Sequence, residues 1–499
     1  MRYTLGLDVS TTATKALLLS ADGTVAGVAS SPHRLKTPQP LWSEQDPLEW
    51  WEAARTAIGT VLRETGVSGS SIAAIGLSGQ MHGLVILDGH GDVLRPSILW
   101  NDQRSAVECD EIRATVGLER LVAMTGNDAF PGFTAPKILW VRKHEPEIYG
   151  RIRHVLLPKD YIRYRLSGDY ATDKAGAGGT LLLDLRTRDW SDELLGALDI
   201  PREWLPKTHE GPEITGILSA VAASETGLPA GIPIVGGGGD QAAQAVGVGA
   251  VSPDIFALTV GTSGVVFAPC DGPTVDPKGR AHAFPHAVPG QWHVMGVILS
   301  AAGSLQWYRD TMAPDVAFED LVAEAASVPP GAEDLLFLPY LSGERTPHAD
   351  PRARGAFVGL TLSHGRGHMT RAVLEGVAFG LKDNLTLLRE AGLPVPAEIR
   401  ASGGAMKSDT WSRILADVLD VDLVTVDATE GAAVGAAILA GVGAGLWSSV
   451  QTACKAAVRT GRLIRPDPGV AASYAQPYEH YRNLYPALRA HFDSLGADL

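Results

Sequence analysis

The sequence predicts a two-domain α/β protein with a ligand cleft between its halves. Three observations carry this. First, the chain has 499 residues, too many for one ordinary core, so two domains of roughly 240 residues are expected. Second, each half opens with the same device. Tyr3–Leu7 and Ala16–Leu19 flank Ser10-Thr11-Thr12-Ala13-Thr14, and Phe256–Val260 and Val265–Ala268 flank Gly261-Thr262-Ser263-Gly264. A repeat on this scale means related domains rather than a solenoid. Third, Ile232–Gly249 reads IPIVGGGGDQAAQAVGVG: an apolar strand, four glycines, one carboxylate and an Ala/Gln-rich helix. Glycines between strand and helix let a ligand approach bare backbone. Ala250-Val251-Ser252-Pro253-Asp254 reads as the boundary, dividing the chain into 1–249 and 250–499.

Composition narrows the function. The hydrophobic fraction is 45%, the charged fraction 20% and the formal net charge -14, which suits a globular protein and disfavours nucleic acid or an anionic membrane as partner. Cys109, Cys270 and Cys454 are isolated, without zinc spacing, and so few suggest a reducing compartment. No apolar run approaches about 18 residues, and Asp8 interrupts the N-terminus too early for a signal-peptide core. A cytoplasmic protein is expected; a homodimer is compatible with the sequence.

In chain order, Ala21-Asp22-Gly23 marks a hairpin turn leading to a strand at Val25–Ala29. Asp46-Pro47-Leu48-Glu49 opens a helix, with Asp46 as cap, Pro47 in the first turn and Glu49 placed to close a capping box. Trp51, Ala54, Ile58, Val61 and Leu62 share its apolar face. Strands follow at Ile72–Ser78 and Leu84–Leu87, separated by Gly79-Gln80-Met81-His82-Gly83. Ile98-Leu99-Trp100-Asn101-Asp102-Gln103-Arg104 puts polar groups just past a strand end, where α/β folds bind ligands. A helix is expected around Lys137–Lys143. Leu156–Asp160 and Ala175–Gly179 read as irregular, ligand-facing segments. In the second half, Leu374, Val377, Ala378, Leu381, Leu385 and Leu388 stripe one helix over 368–390. A strand before Ser402 leads into Gly403–Asp409, and Gly431–Ala444 is a small-residue helix suited to close packing.

Three turns deserve joint reading: Ser10–Thr14, Gly261–Gly264 and Gly403–Ser408. Alone, each is ordinary turn chemistry. Together, after strands on both sides of the boundary, they form anion nests that grip a polyphosphate from two domains. Among their residues, Thr11, Thr12, Lys15, Gly261, Thr262, Ser263, Gly403, Gly404, Ala405 and Ser408 are the nucleotide-binding candidates. There is no GxxxxGK[ST], no GxGxxG after the first strand and no protein-kinase signature. Asp240 reads locally as an N-cap. His82, flanked by Gly79 and Gly83, is either structural or a hydrogen-bonding partner for a sugar hydroxyl. Trp42, Trp100 and Trp140 are core residues or stacking platforms for a sugar.

These residues also carry a resemblance. Gly132–Trp140 (GFTAPKILW) and the stretch from Gly355 through Gly359-Leu360 to His368–Glu375 resemble the two signatures of the FGGY carbohydrate kinases. Trp42–Pro47, Gly79–Gly83, Trp100-Asn101-Asp102 with Arg104, and Leu338–Pro347 resemble the branch that phosphorylates D-xylulose. The resemblance covers nearly the whole chain. It implies a two-domain actin-like ATPase (ribonuclease H-like) fold with an interdomain cleft, the N-terminal domain taking the sugar and the C-terminal domain ATP. It implies ATP-dependent phosphorylation of D-xylulose to D-xylulose 5-phosphate, with Mg²⁺. Asp240 then corresponds to the catalytic base and Asp8 to the phosphate-loop aspartate that holds the metal directly or through water. Met81 and His82 correspond to the pair contacting the ketopentose, with Trp100, Asn101 and Gln241 beside them. Two departures stand out: Ser10-Thr11-Thr12-Ala13 replaces the usual Gly-Thr-Ser, and Gln241 replaces a common Asn. The alternatives are a kinase of another ketose or polyol, such as L-xylulose, L-ribulose, L-fuculose or glycerol, or a non-catalytic sugar-binding regulator, which would not require Asp240.

Overall fold

The computed structural model describes residues 1–427 and 429–495. Its two large sheets have seven strands each. The first is built from β1 (Tyr3–Val9), β2 (Ala13–Ser20), β3 (Val25–Pro32), β4 (Ile72–Gly79), β5 (Ile214–Ile217), β6 (Pro233–Val235) and β7 (Gly238–Gly239). The second is built from β8 (Ile255–Val260), β9 (Gly264–Cys270), β10 (His282–Pro285), β11 (Trp292–Ile298), β12 (Glu398–Ser402), β13 (Leu423–Val426) and β14 (Thr460–Ile464).

The internal repeat extends to strand order. In the first sheet the order is β5-β6-β4-β1-β2-β3, with β7 beside β4; in the second it is β10-β11-β9-β8-β12-β13-β14. Each contains an antiparallel run of three strands, β1-β2-β3 or β8-β9-β11, continued on the other side by two parallel strands and one antiparallel edge strand. The loops after β1, β4, β8 and β12 therefore leave the carboxyl ends of neighbouring parallel strands, where open α/β sheets place ligands.

Helix α1 (Pro47–Thr65) starts as its sequence dictates. Asp46 accepts the Leu48 N–H at 3.0 Å, Pro47 occupies the first turn, and Gly66 ends the helix at φ +68°. Trp51, Ala54, Ile58 and Val61 are buried, while Leu62 is only partly covered. The expected capping box does not form, because Glu49 turns away to accept the Arg34 N–H at 3.1 Å. Helix α2 (Thr134–His144) covers the predicted segment.

The two segments expected to be irregular are ordered. Leu156 ends a short strand, and α3 (Pro158–Ser167) begins two residues later. Lys159 is buried and paired with both Asp160 and Asp173, so its charge serves the fold. Residues Lys174–Gly178 form α4, capped by Asp173, which accepts the Gly176 N–H at 2.8 Å.

Helix α5 (Asp240–Val248) follows the glycine run. The second half adds α6 (Ala302–Met312), α7 (Arg366–Glu390), α8 (Asp409–Leu419) and α9 (Gly431–Gly443). All six residues of the predicted α7 stripe are buried. Helix α9 belongs to the second half of the chain yet packs on β1 and β4 of the first sheet and crosses α5. Glycine makes this possible. A Cβ at Gly435 would lie 1.8 Å from the Ala243 carbonyl oxygen, and one at Gly76 would lie 1.9 Å from that of Ala436. Such separations are impossible for any side chain, so the crossing is fixed by residues with none. It sets Gly431, the first residue of α9, against Gly247 near the carboxyl end of α5. Among the described residues no helix is long and apolar enough to cross a membrane.

Candidate active site

Asp8 stands near the end of β1. Its register partners are Lys15 on β2 and Ser78 on β4, so the three side chains share one face of the sheet. Lys15 Nζ also lies 2.8 Å from Glu430, the residue that precedes α9. A cation of the first hairpin is thus tied to a carboxylate of the second half. Asp8 is buried, and its Oδ1 has no hydrogen-bond partner. Burial pushes its carboxyl up to about 6; Ser78 and Lys15 oppose the rise and Glu430 adds to it. An unpartnered buried carboxylate oxygen is a donor suited to Mg²⁺, which prefers oxygen ligands.

Asp240 is the first residue of α5. Gly239 is the N-cap, and no side chain caps the helix. The cap reading of Asp240 is therefore corrected: its Oδ1 accepts its neighbour's N–H, that of Gln241, at 2.8 Å. Burial, reinforced by the negative charge of Asp8 and opposed by hydrogen bonds from Gln241, pushes its carboxyl up to about 7. A carboxylate poised there exchanges a proton near neutrality. The two carboxylates come from different elements, yet the charge of Asp8 reaches Asp240 because β7 is paired with β4 in register: Gly238 with Ser78 and Gly239 with Gly79.

Met81 and His82 follow β4 after one intervening residue, Gln80. Met81 packs against Gly239, where a Cβ would meet its Cγ at 2.8 Å. His82 adopts φ +68°, a strained backbone conformation for a residue with a side chain. Its Nδ1 lies 2.6 Å from the Gly179 carbonyl oxygen. A carbonyl only accepts, so Nδ1 carries the proton and Nε2 is left as an acceptor. Burial holds the ring neutral, depressing its titration to about 3. The Gly179 carbonyl is presented at the end of α4, which is what the glycine-rich segment contributes. Thr134 and Lys137 of α2 both donate to the His82 carbonyl at 3.0 Å; the sequence offered no hint of this brace beyond the signature that contains them.

Of the three tryptophans, only Trp100 faces the cleft. It is 42% exposed, and its Nε1 donates to Thr11 Oγ1 at 3.0 Å. Trp140 is buried, and Trp42 sits edge-on to it at 5.4 Å. The Arg104 guanidinium lies 3.6 Å from the Trp42 ring centroid and is paired with Asp102 and Glu44, so these two indoles are structural. Asn101 Oδ1 is buried without a partner, an open acceptor beside Trp100. Thr11 also reaches Gln80 at 3.3 Å, joining the turn of the first hairpin to the Met81–His82 segment. Ser10, which replaces the usual glycine, donates from Oγ to the Ala13 carbonyl at 2.8 Å. Its hydroxyl closes the turn rather than facing outward.

In the second half, Thr262 and Ser263 are exposed at the tip of the β8–β9 hairpin. The Thr262 carbonyl accepts the Ala301 N–H at 2.7 Å, and the Gly261 carbonyl accepts that of Ala302 at 2.8 Å, docking the turn on the start of α6. Gly403, at φ +98°, passes so close to β8 that a Cβ would lie 2.4 Å from the Val260 oxygen. Gly404 and Ser408 line a cavity of about 510 Å³ with Leu305, Gln306, Phe318 and Trp411. Its size and mostly apolar lining suit a flat heteroaromatic ligand. Ala405 is buried, and Ser408 Oγ caps α8 by accepting the Trp411 N–H. A second, polar cavity of about 740 Å³ lies where Gln244 of α5 donates to Thr259 Oγ1 at 3.1 Å. Gln244 and Glu430 were missed in the sequence; the four-residue spacing from Asp240 to Gln244, one helical turn, was the available signal for the former.

Residues 3–247 match the N-terminal domain of the FGGY family of carbohydrate kinases, and residues 256–444 match its C-terminal domain. A xylulose kinase of Escherichia coli strain K12 is 45% identical over 83% of this chain and 84% of its own length. The solved structure of a ligand-bound xylulose kinase from Lactobacillus acidophilus superposes with a TM-score of 0.95, at 30% identity, covering 99% of this chain and all of that one. A gluconate kinase structure from the same organism superposes at 0.94, also at 30% identity, over 99% of this chain and all of its own. The fold is the two-domain, actin-like one of these sugar kinases, and the chain belongs to the FGGY family of carbohydrate kinases.

Proposed function

We propose that this carbohydrate kinase transfers the γ-phosphoryl group of ATP to the terminal hydroxyl of D-xylulose, giving D-xylulose 5-phosphate. The observation that carries the mechanism is Asp240, a carboxylate raised to about 7 at the amino end of α5, beside Asp8. Phosphoryl transfer is chiefly positioning and charge stabilisation. Asp240 accepts the proton of the attacking hydroxyl, and the positive end of α5 lies against the reacting groups. Neutral His82 accepts a hydrogen bond from a sugar hydroxyl at Nε2. Asn101 Oδ1 accepts another, Gln241 lies next to the base, and Met81 and Trp100 cover the apolar face of the sugar. Lys15, Thr11, Thr12 and the Gly261–Ser263 turn grip phosphate, while Gly403, Gly404, Ala405 and Ser408 border the nucleoside cavity.

Asp8 fits Mg²⁺ through its unpartnered Oδ1, directly or through water, with Glu430 nearby. The ion, when bound with nucleotide, neutralises charge on the β and γ phosphates. Closure of the two halves, 1–249 and 250–499, excludes water and suppresses hydrolysis of ATP. The E. coli and L. acidophilus xylulose kinases support the ketopentose as acceptor; the likeness to a gluconate kinase makes gluconate the second candidate.

The test is coupled ADP release over D-xylulose, L-xylulose, L-ribulose, L-fuculose, glycerol and D-gluconate. D-xylulose is expected to give the highest kcat/KM. A higher value for any other acceptor overturns the substrate assignment, and ADP release indifferent to every acceptor overturns the kinase reading.

A further inference from the structure

The wall that holds His82 contains a cationic residue from the second half of the chain that has no role in the mechanism above. Arg345 belongs to the second half of the chain, in the loop after the short strand Leu336–Leu338. Its guanidinium carbon lies 5.4 Å from the Phe130 ring centroid. Phe130 packs edge-on against His282 at 5.5 Å and Phe133 at 5.9 Å, and Phe133 packs edge-on against His82 at 4.7 Å. The guanidinium is thus part of the aromatic cluster around His82, although 263 positions separate the two in sequence. Its charge acts, behind burial, to keep both His82 and His282 neutral.

The loop presents Arg345 rigidly. Glu344 Oε1 accepts the Leu299 N–H at 3.1 Å and the Arg345 N–H at 2.7 Å, and the Thr346 N–H donates to the Val297 carbonyl at 3.0 Å. The backbone is therefore fixed on both sides of Arg345 against β11 and the residue following it. The neighbouring carboxylate gives its Oε1 to these backbone amides, and its Oε2 has no hydrogen-bond partner. Among the described residues the guanidinium has neither an ion-pair nor a hydrogen-bond partner. Arg345 is only partly buried, so its guanidinium N–H donors stay accessible to a ligand instead of being spent on the fold. Met81 lies against Gly239 beside the reacting carboxylate, His82 follows toward Gly179 and Phe133, and Arg345 lies beyond them.

We propose that Arg345 is a substrate-binding residue that sets acceptor specificity: it donates to an oxygen at the end of the acceptor away from Asp240, favouring acceptors with a carbonyl or carboxylate oxygen there over polyols. A guanidinium only donates, and its planar fork matches an sp² oxygen, whereas a hydroxyl is a weaker acceptor with a proton of its own to place. Because the donor comes from the second half and His82 from the first, an acceptor that engages both also joins the two halves. The proposal rests on the kinase reading above.

The test compares the wild type, Arg345→Gln and Arg345→Lys on D-xylulose and on xylitol and D-arabinitol, its two C2-reduced counterparts. Polyols are read as substrates or, where turnover is nil, as competitive inhibitors. Arg345→Gln is expected to lower kcat/KM for D-xylulose about 10- to 100-fold, the usual loss for a hydrogen bond from a charged donor, with polyol constants and the KM for ATP changed less than about threefold. Arg345→Lys, which keeps the charge but not the fork, recovers part of the loss. Equal losses on ketose and polyols mark a structural role and overturn the proposal, as does an unchanged D-xylulose constant. A wild type that releases ADP with no acceptor overturns the kinase reading, and this inference with it.

Discussion

Replacing Asp240 by Asn removes the proposed base while keeping the shape of the α5 amino end. General bases of this kind contribute about 10²- to 10⁴-fold, so kcat is expected to fall by that factor, with the KM for ATP nearly unchanged. The same substitution has a second consequence, opposite in sign. In the folded protein the carboxyl titrates at about 7 instead of 3.8. Folding therefore favours its protonated form, and this contribution is fully present below about pH 4 and lost as pH rises through 7. Three decades at about 1.36 kcal/mol each give a ceiling of ~4 kcal/mol. Water reaching the partly buried carboxyl cuts this to roughly 1–2 kcal/mol. With an unfolding entropy of about 2.1 cal/mol/K per residue, a chain of this size gains about 1–2 °C. Asp240→Asn should thus be nearly inactive yet melt about 1–2 °C higher than wild type at pH 8, and the difference should vanish by about pH 4. The checks are coupled ADP release and differential scanning calorimetry across that range. Retained activity within tenfold of wild type refutes the base assignment; a stability difference that is the same at pH 4 and 8 refutes the electrostatic argument.

Three further outcomes follow from the geometry. His82→Ala should raise the KM for the sugar about tenfold or more while leaving that for ATP within about twofold, since it removes a hydrogen bond to the acceptor; a selective ATP defect in steady-state kinetics contradicts it. Lys15→Met should do the reverse, raising the KM for ATP about tenfold or more, and it should also loosen Asp8, whose carboxyl Lys15 helps keep ionised; unchanged nucleotide affinity by calorimetric titration argues against a phosphate role. Gly435→Ala should destabilise the protein by about 1–3 kcal/mol or prevent soluble expression, because the new Cβ would fall 1.8 Å from the Ala243 carbonyl oxygen; a wild-type melting curve would mean that α5 and α9 do not cross as described.

Much of the site was legible because it is local. Asp240 behind four glycines, the Gly79–Gly83 segment and the hydroxyl-rich turns lie at strand ends, and a strand end can be read from a run of apolar residues. The paired meanders announced two related halves, and the structure shows the same strand order in both sheets. Local reading failed where side-chain choice depended on distant atoms. Glu49 was assigned a capping role from spacing, but it accepts the amide of Arg34, 15 positions away. Glycines at 175–179 suggested a loop, whereas tertiary packing and the Asp173 cap make a helix whose end presents a carbonyl to His82.

The sequence by itself determined the α/β class, the two-part organisation and the identity of the carboxylate between them, because periodicity, glycine runs and caps act over a few residues. The pairing of Lys15 with Glu430, the perturbation of Asp240 by Asp8, the tautomer of His82 and the placement of Arg345 in the aromatic cluster around it were decided only by tertiary structure. Each depends on two groups far apart in the chain, and a Coulomb interaction or a hydrogen bond depends on distance in space, which composition and periodicity do not encode.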